Sequence, residues 1–321
     1  MEFHVDEAKK AREDLEDIIN PTPLQYSRTF GEMAGCSVYL KPECLQKNGS
    51  FKIRGAYTVL SSLSAEEKKQ GVVTCSAGNW AQGVAYGCQL LGIKALVVMP
   101  QQVPKSKLEA TKGYGAEVLL YGSTSTELFQ KARELSEERK MTYLHAFDEP
   151  AMIIGHGSIG LEILDEQPDI DVIVVPVGGG ALVSGISMVA KQINPEIRVF
   201  GVQPAGAAAM YTSLKEGKVV EIDKVETIAG GLAVKRSGER TFHIIREYVE
   251  EIVLVTDDEI KSAMLLLLER AKLLVEPSGA APLAAVLNRK ITKLTADTKV
   301  AVVLSGGNID LPVLRQYLGS A

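Results

Sequence analysis

Four short segments of this chain place residues able to do chemistry where an apolar run gives way to a helix-like one. In Lys47-Asn48-Gly49-Ser50-Phe51-Lys52-Ile53-Arg54-Gly55-Ala56, Lys52 stands just ahead of a helical pattern. An amine there can form a Schiff base if it is held beside a carbonyl group and is deprotonated part of the time. Alone, it also suits a solvated lysine near a helix start. Ser76-Ala77-Gly78-Asn79-Trp80 opens another helical pattern, where outward-pointing N–H groups can hold a carboxylate or phosphate and Asn79 can bond a ring hydroxyl. A plain strand-to-helix turn with Asn79 as N-cap explains the same residues. Gly178-Gly179-Gly180-Ala181-Leu182 follows the clearest strand pattern and can wrap an anion with backbone N–H groups, or simply make a tight turn. It is neither a Walker loop nor G-x-G-x-x-G. Ser305, in Ser305-Gly306-Gly307-Asn308, ends the last apolar run, where an α/β sheet opens its ligand crevice. There it can meet a heterocyclic nitrogen or serve as a turn residue.

The elements that must position these groups alternate. Val72–Cys75, Ala95–Met99, Glu117–Leu120, Thr142–Leu144, Asp171–Val177, Arg198–Val202 and Lys299–Leu304 read as strands. Helical patterns lie between them, among them Asn79–Leu91, a stretch from about Lys105, and Ser125–Arg139. This rhythm predicts βαβ units, with parallel sheets covered by helices. A change near residues 146 to 160 predicts two α/β domains, with a shared interface suited to a cofactor. A composition 46% hydrophobic and 23% charged is that of a soluble globular protein, and a net charge of -5 argues against nucleic acid as the main partner. No apolar stretch approaches a membrane span, and the first residues lack a signal-peptide pattern. Cys36, Cys44, Cys75 and Cys88 show no C-x-x-C spacing, and the four histidines are scattered. A reducing cytoplasm and no metal are therefore expected.

Together the segments offer a Schiff-base lysine, a phosphate cup, a donor for a phenolic oxygen and a partner for a ring nitrogen. Pyridoxal 5'-phosphate needs that set. The chain resembles the fold type II pyridoxal-phosphate enzymes, and most of all the short, catabolic-type threonine/serine dehydratases and the serine racemases. The resemblance runs from about Ile18 to Leu314. It is carried by Pro21-Thr22-Pro23-Leu24, the Lys52 segment, Ala77-Gly78-Asn79, Pro104-Lys105-Ser106-Lys107, Gly157-Ser158-Ile159-Gly160-Leu161-Glu162, the triple glycine, Glu276-Pro277-Ser278-Gly279-Ala280 and Ser305-Gly306-Gly307-Asn308.

It implies two parallel-sheet α/β domains like those of tryptophan synthase β, with the cofactor between them. The boundaries expected are 1–66 with 149–321 for the large, cofactor-binding domain and 67–148 for the small one. Lys52 would carry the Schiff base and later remove the Cα proton. Phe51 would pack on the cofactor ring and Asn79 would bond its 3-hydroxyl. Gly178, Gly179, Gly180, Ala181 and Leu182 would hold the phosphate, and Ser305 would meet the pyridine nitrogen. Ser76, Ala77, Gly78 and Asn79 would grip the substrate carboxylate. Glu276 lies in the matching acidic motif, with a catalytic or a structural role left open. The implied reaction is β-elimination from L-threonine or L-serine to a 2-oxo acid and ammonia, by a homodimer or homotetramer.

Departures from the family pattern bear on specificity. Trp80 replaces a usual histidine, and either reshapes the substrate pocket or packs behind it. Ala181 replaces a fourth glycine, Asn48 a common threonine, and Gly230 an acidic residue. Serine racemases carry a serine where Ala77 stands, so racemisation is expected to be minor. Gln203 and Ala209 replace the glutamate and aspartate of a divalent-metal site, so none is expected there. The chain continues little beyond Ser305, so no isoleucine-sensing domain is expected. Rival readings are a dehydratase for another β-hydroxy amino acid such as 3-hydroxyaspartate, a serine racemase, a non-catalytic cofactor carrier or sensor, and a nucleotide-binding module.

Overall fold

The computed structural model describes residues 3–319. Runs such as Val72–Cys75, Ala95–Met99 and Val172–Pro176 are buried at every position. Strands covered on both faces carry such continuous apolar runs. Six strands form one sheet in the order β1 (Gln25–Tyr26), β2 (Ser37–Lys41), β10 (Lys299–Val303), β7 (Val172–Pro176), β8 (Arg198–Pro204) and β9 (Glu251–Val255). All pairs are parallel except β1 with β2. Four more strands, all parallel, form a second sheet in the order β5 (Glu117–Leu120), β4 (Ala95–Met99), β3 (Val72–Cys75) and β6 (Thr142–Tyr143). The fold is thus the expected pair of largely parallel sheets. The sequence reading lacks β1, β2 and β9. In β2 the alternation is broken by a buried Lys41, and β9 is a short run that starts on an exposed glutamate.

Helices converge between the sheets through glycines. A Cβ on Gly55 would stand 2.4 Å from His156, and one on Gly185 would stand 2.3 Å from the Ile153 carbonyl oxygen. The Lys52–Ser62, Pro150–Glu166 and Ala181–Ile193 helices can therefore approach closely. Where these helices meet the first sheet lies a largely buried charged cluster, with Glu162 partly exposed at its edge. Arg54 is fully buried and grips both carboxylate oxygens of buried Glu43 at 2.8 Å. It also reaches Glu162 at 2.9 Å and the Ser158 hydroxyl at 3.1 Å. Lys41 Nζ lies 2.6 Å from Glu162 and donates to the Thr22 carbonyl at 2.7 Å. Thr22 in turn donates to Glu43 at 2.6 Å.

Removing one partner from a buried ion pair leaves an uncompensated charge, which costs about 3–5 kcal/mol. Arg54→Met is expected to lower unfolding free energy by that order in urea denaturation. A variant as stable as the parent would show that Glu43 and Glu162 do not depend on the guanidinium.

Candidate active site

The approach to Lys52 is fastened to the chain leaving β10. Phe51 N–H donates to the Ser305 carbonyl at 3.1 Å, Gly307 N–H donates to the Gly49 carbonyl at 2.9 Å, and Ser50 forms a single antiparallel bridge with Gly306. Lys52 then begins its helix. From the other side Gly83 crowds it, since a Cβ there would stand 3.2 Å from the Lys52 carbonyl carbon. The amine ends 5.0 Å from the Phe51 ring centroid, 5.7 Å from that of Trp80, and 3.4 Å from the Ala146 carbonyl oxygen. Among the described residues no carboxylate lies within ion-pair distance of it. Burial without a counter-charge disfavours the ammonium and pushes its pKa down to about 8.

Asn79 is the first residue of the Asn79–Leu91 helix, and Gly78 holds the cap position. The N-cap reading of Asn79 is therefore set aside. Its side chain turns instead to Glu276, donating from Nδ2 to Oε1 at 2.6 Å, while its Oδ1 accepts from Asn308 Nδ2 at 2.9 Å. Glu276 precedes the Pro277–Leu287 helix without capping it. Burial raises its carboxyl pKa to about 7. Ser305 is buried two residues past the end of β10. In the loop before Asn79, the Ser76 hydroxyl accepts from Gly78 N–H at 3.1 Å.

The glycine turn follows β7. Gly180 has φ of 105°, and a Cβ there would meet Thr241 at 2.7 Å. Only glycine holds that conformation without strain. At Gly179 a Cβ would stand 2.0 Å from the Phe147 ring. The Gly179 carbonyl accepts from the Thr241 hydroxyl at 2.6 Å, which fixes the turn. No side chain caps the Ala181–Ile193 helix, so its first N–H groups are available to an anion. Phe51 and Leu182 share one apolar cluster, and Phe51 lies 4.7 Å from His156.

Trp80 is anchored beside the Lys52 amine. It is buried, and its Nε1 donates to Thr74 Oγ1 at 2.8 Å, which donates to the Leu144 carbonyl at 2.8 Å. Gln203 is bonded to backbone at both ends of its amide, to the Val177 carbonyl at 3.2 Å and Tyr211 N–H at 2.9 Å, and Ala209 begins a helix. Among the described residues no three His, Cys, Asp or Glu side chains gather as metal ligands. Asn308, Ala146 and Phe147 escape the sequence reading. Asn308 sits in the Ser305 motif and could have been found there. Ala146 acts through its carbonyl and Phe147 through packing, for which the sequence holds no signal.

The residues fit pyridoxal phosphate. A desolvated amine, an uncapped helix start behind glycines whose Cβ positions are closed, and a buried Ser50 hydroxyl without a partner beside Lys52 suit an aldehyde-bearing phosphate ester. Two parallel sheets with these groups at their strand ends define the class of lysine-based cofactor enzymes. Residues 15–306 match the family of pyridoxal-phosphate dependent enzymes, and the chain belongs to that family. It is 45% identical over 314 residues to an L-threonine ammonia-lyase of Thermotoga maritima, covering 98% of this chain and 78% of that protein. It is 42% identical to the catabolic L-threonine dehydratase TdcB of Escherichia coli, covering 98% and 96%. The structure of maize serine racemase matches with a TM-score of 0.93 at 35% identity, covering 98% and 97%.

Two outcomes follow from this geometry. The neutral fraction of Lys52 grows as pH rises through about 8, so its acylation in competitive labelling should rise there, well below ordinary lysines. A profile matching the surface lysines would contradict the desolvated amine. Gly179→Ala must displace Phe147 or the turn, and is expected to weaken pyridoxal-phosphate retention on dialysis by about tenfold or more. Unchanged retention would remove the turn from the cofactor site.

Proposed function

We propose that this enzyme dehydrates and deaminates L-threonine, and L-serine with it, to a 2-oxo acid and ammonia. The observation that carries the reading is the desolvated Lys52 amine beside the two strand ends. The relatives' activity on L-threonine supports the substrate. Bound at Lys52, pyridoxal phosphate supplies an electron sink for the pair released when the substrate's Cα–H bond breaks.

On this reading the chain's own groups do the rest. The turn 178–182 holds the phosphate on backbone N–H groups, Phe51 backs the ring, Asn79 bonds the ring oxygen and Ser305 the ring nitrogen. The loop Ser76–Asn79 orients the substrate carboxylate. Lys52 Nζ, largely neutral above pH 8, takes the Cα proton. The elements of water leave across Cα–Cβ, and hydrolysis of the released enamine gives 2-oxobutanoate from threonine, or pyruvate from serine, with ammonia. Ala77 carries only a methyl group and offers no acid for reprotonation, which favours elimination over racemisation.

The proposed domains are 1–66 with 149–321, and 67–148. The strands of the second sheet all fall within the latter range. We further propose a homodimer or homotetramer in the cytoplasm. Four free, buried cysteines fit a reducing compartment, and no described helix is long and apolar enough to cross a membrane.

With pyridoxal phosphate bound, L-threonine should yield 2-oxobutanoate, and Lys52→Ala should lower the rate by about 10²–10⁴-fold or more. No 2-oxobutanoate from the loaded parent protein would overturn the threonine assignment. A Lys52→Ala variant as fast as the parent would overturn the role of Lys52.

A further inference from the structure

The Asn48 carbonyl and the side chains of Asn308, Asn79 and Glu276 form a chain of hydrogen bonds with only one consistent polarity. It starts at the Asn48 backbone carbonyl, which can only accept. Asn308 must therefore present Nδ2 to it, at 2.6 Å. The same Nδ2 lies 2.9 Å from Asn79, so the Asn79 atom facing it must be the acceptor Oδ1. That turns Asn79 Nδ2 toward Glu276 Oε1 at 2.6 Å. One N–H of Asn79 is then engaged by the carboxyl and one is left for another acceptor.

Room for the contact is created at position 306. A Cβ on Gly306 would stand 2.4 Å from Glu276 Oε1 and 3.0 Å from Asn79 Nδ2. Glu276 leaves its own helix uncapped to make this reach, although it occupies the cap position. Its short bond to Asn79 is charge-assisted when the carboxyl is ionised.

We propose that Glu276 is a positioning residue for the cofactor: by engaging one N–H of the Asn79 amide, whose polarity Asn308 sets, it directs the other N–H at the cofactor's ring oxygen. The proposal rests on the assignment of Asn79 to that oxygen. Of the other titratable groups, Cys44 and Lys107 interact electrostatically with Glu276. Lys107 favours the ionised carboxyl, and burial opposes it more strongly.

The test is pyridoxal-phosphate affinity of the parent protein, Glu276→Gln and Glu276→Ala between pH 6 and pH 8.5. Quenching of Trp80, the chain's only tryptophan and 5.7 Å from the Lys52 amine, reports binding. Taking ratios of the variant's dissociation constant to the parent's cancels the titration of Lys52. For Glu276→Gln, whose amide oxygen still accepts from Asn79 without charge, the ratio should be near one at pH 6. It should rise to about tenfold at pH 8.5, where the parent carboxyl is ionised. For Glu276→Ala it should exceed one at every pH.

A Glu276→Gln ratio that does not change with pH would overturn the proposal, because altered packing alone would produce it. Ratios of one in both variants would overturn it too, leaving Glu276 structural. Borohydride reduction followed by peptide mapping separates these failures from a failure of the site. Cofactor fixed on Lys52 of the parent keeps the site reading in force. If the parent carries none at Lys52, both the site and the role of Glu276 fall.

Discussion

The structure depends on holding one partly buried amine without giving it a counter-ion. Lys52 and Arg54 lie two residues apart on one helix, so their side chains leave about 200° apart. Arg54, fully buried, pairs with Glu43 and Glu162 and keeps its charge. Lys52 enters the crevice, meets two aromatic faces and a carbonyl, and titrates at about 8. Arg54 is fully buried and Lys52 partly so. What separates a structural cation from a reactive amine here is the presence of carboxylates on one face of the helix and their absence within reach on the other.

Holding an amine in that condition needs a rigid surround, and two devices supply it. Glycines let helices press together, as where Gly83 meets the Lys52 backbone and Gly155 meets Thr58. Main-chain pairing between 49–51 and 305–307 then fixes the helix start to the end of β10. The aromatic wall is anchored as well. Trp80 hangs from Thr74, Thr74 from the Leu144 carbonyl, and Ala146, two residues on, receives the Lys52 amine. Three elements thus close a ring around the reacting nitrogen, and displacement of any one is felt by the others.

The sequence is legible where the local pattern decides. The limits of β3, β4 and β5, and of the Asn79–Leu91 and Ser125–Arg139 helices, coincide with the apolar and helical patterns because each element's own residues carry its period. It is opaque where a long-range partner decides. Lys41 reads as a surface charge yet sits buried in β2, because Glu162, remote in sequence, neutralises it. Asn79 reads as a helix cap until Glu276, 197 residues away, claims its amide. Trp80 offered two readings, and the sequence does not show that its indole is anchored on Thr74 with its ring near Lys52.

The reaction such a site favours follows from where charge is tolerated. On the proposed assignment Ser305 gives the ring nitrogen a neutral partner, so no fixed anion holds that nitrogen protonated and the ring retains an electron pair less firmly. A pair that is poorly held is best discharged onto a leaving group, and the β-hydroxyl is one. Racemisation would need a second acid across the substrate from Lys52, and Ala77 supplies none. The carboxyl bonded to Asn79, Glu276, is occupied in orienting that amide. Lys52 is then left to carry the proton, and the rings of Phe51 and Trp80 support the ammonium it becomes, against the burial that opposes it. The same desolvation that makes the amine a base at moderate pH thus makes its conjugate acid ready to give the proton up, which returns the amine for another turnover.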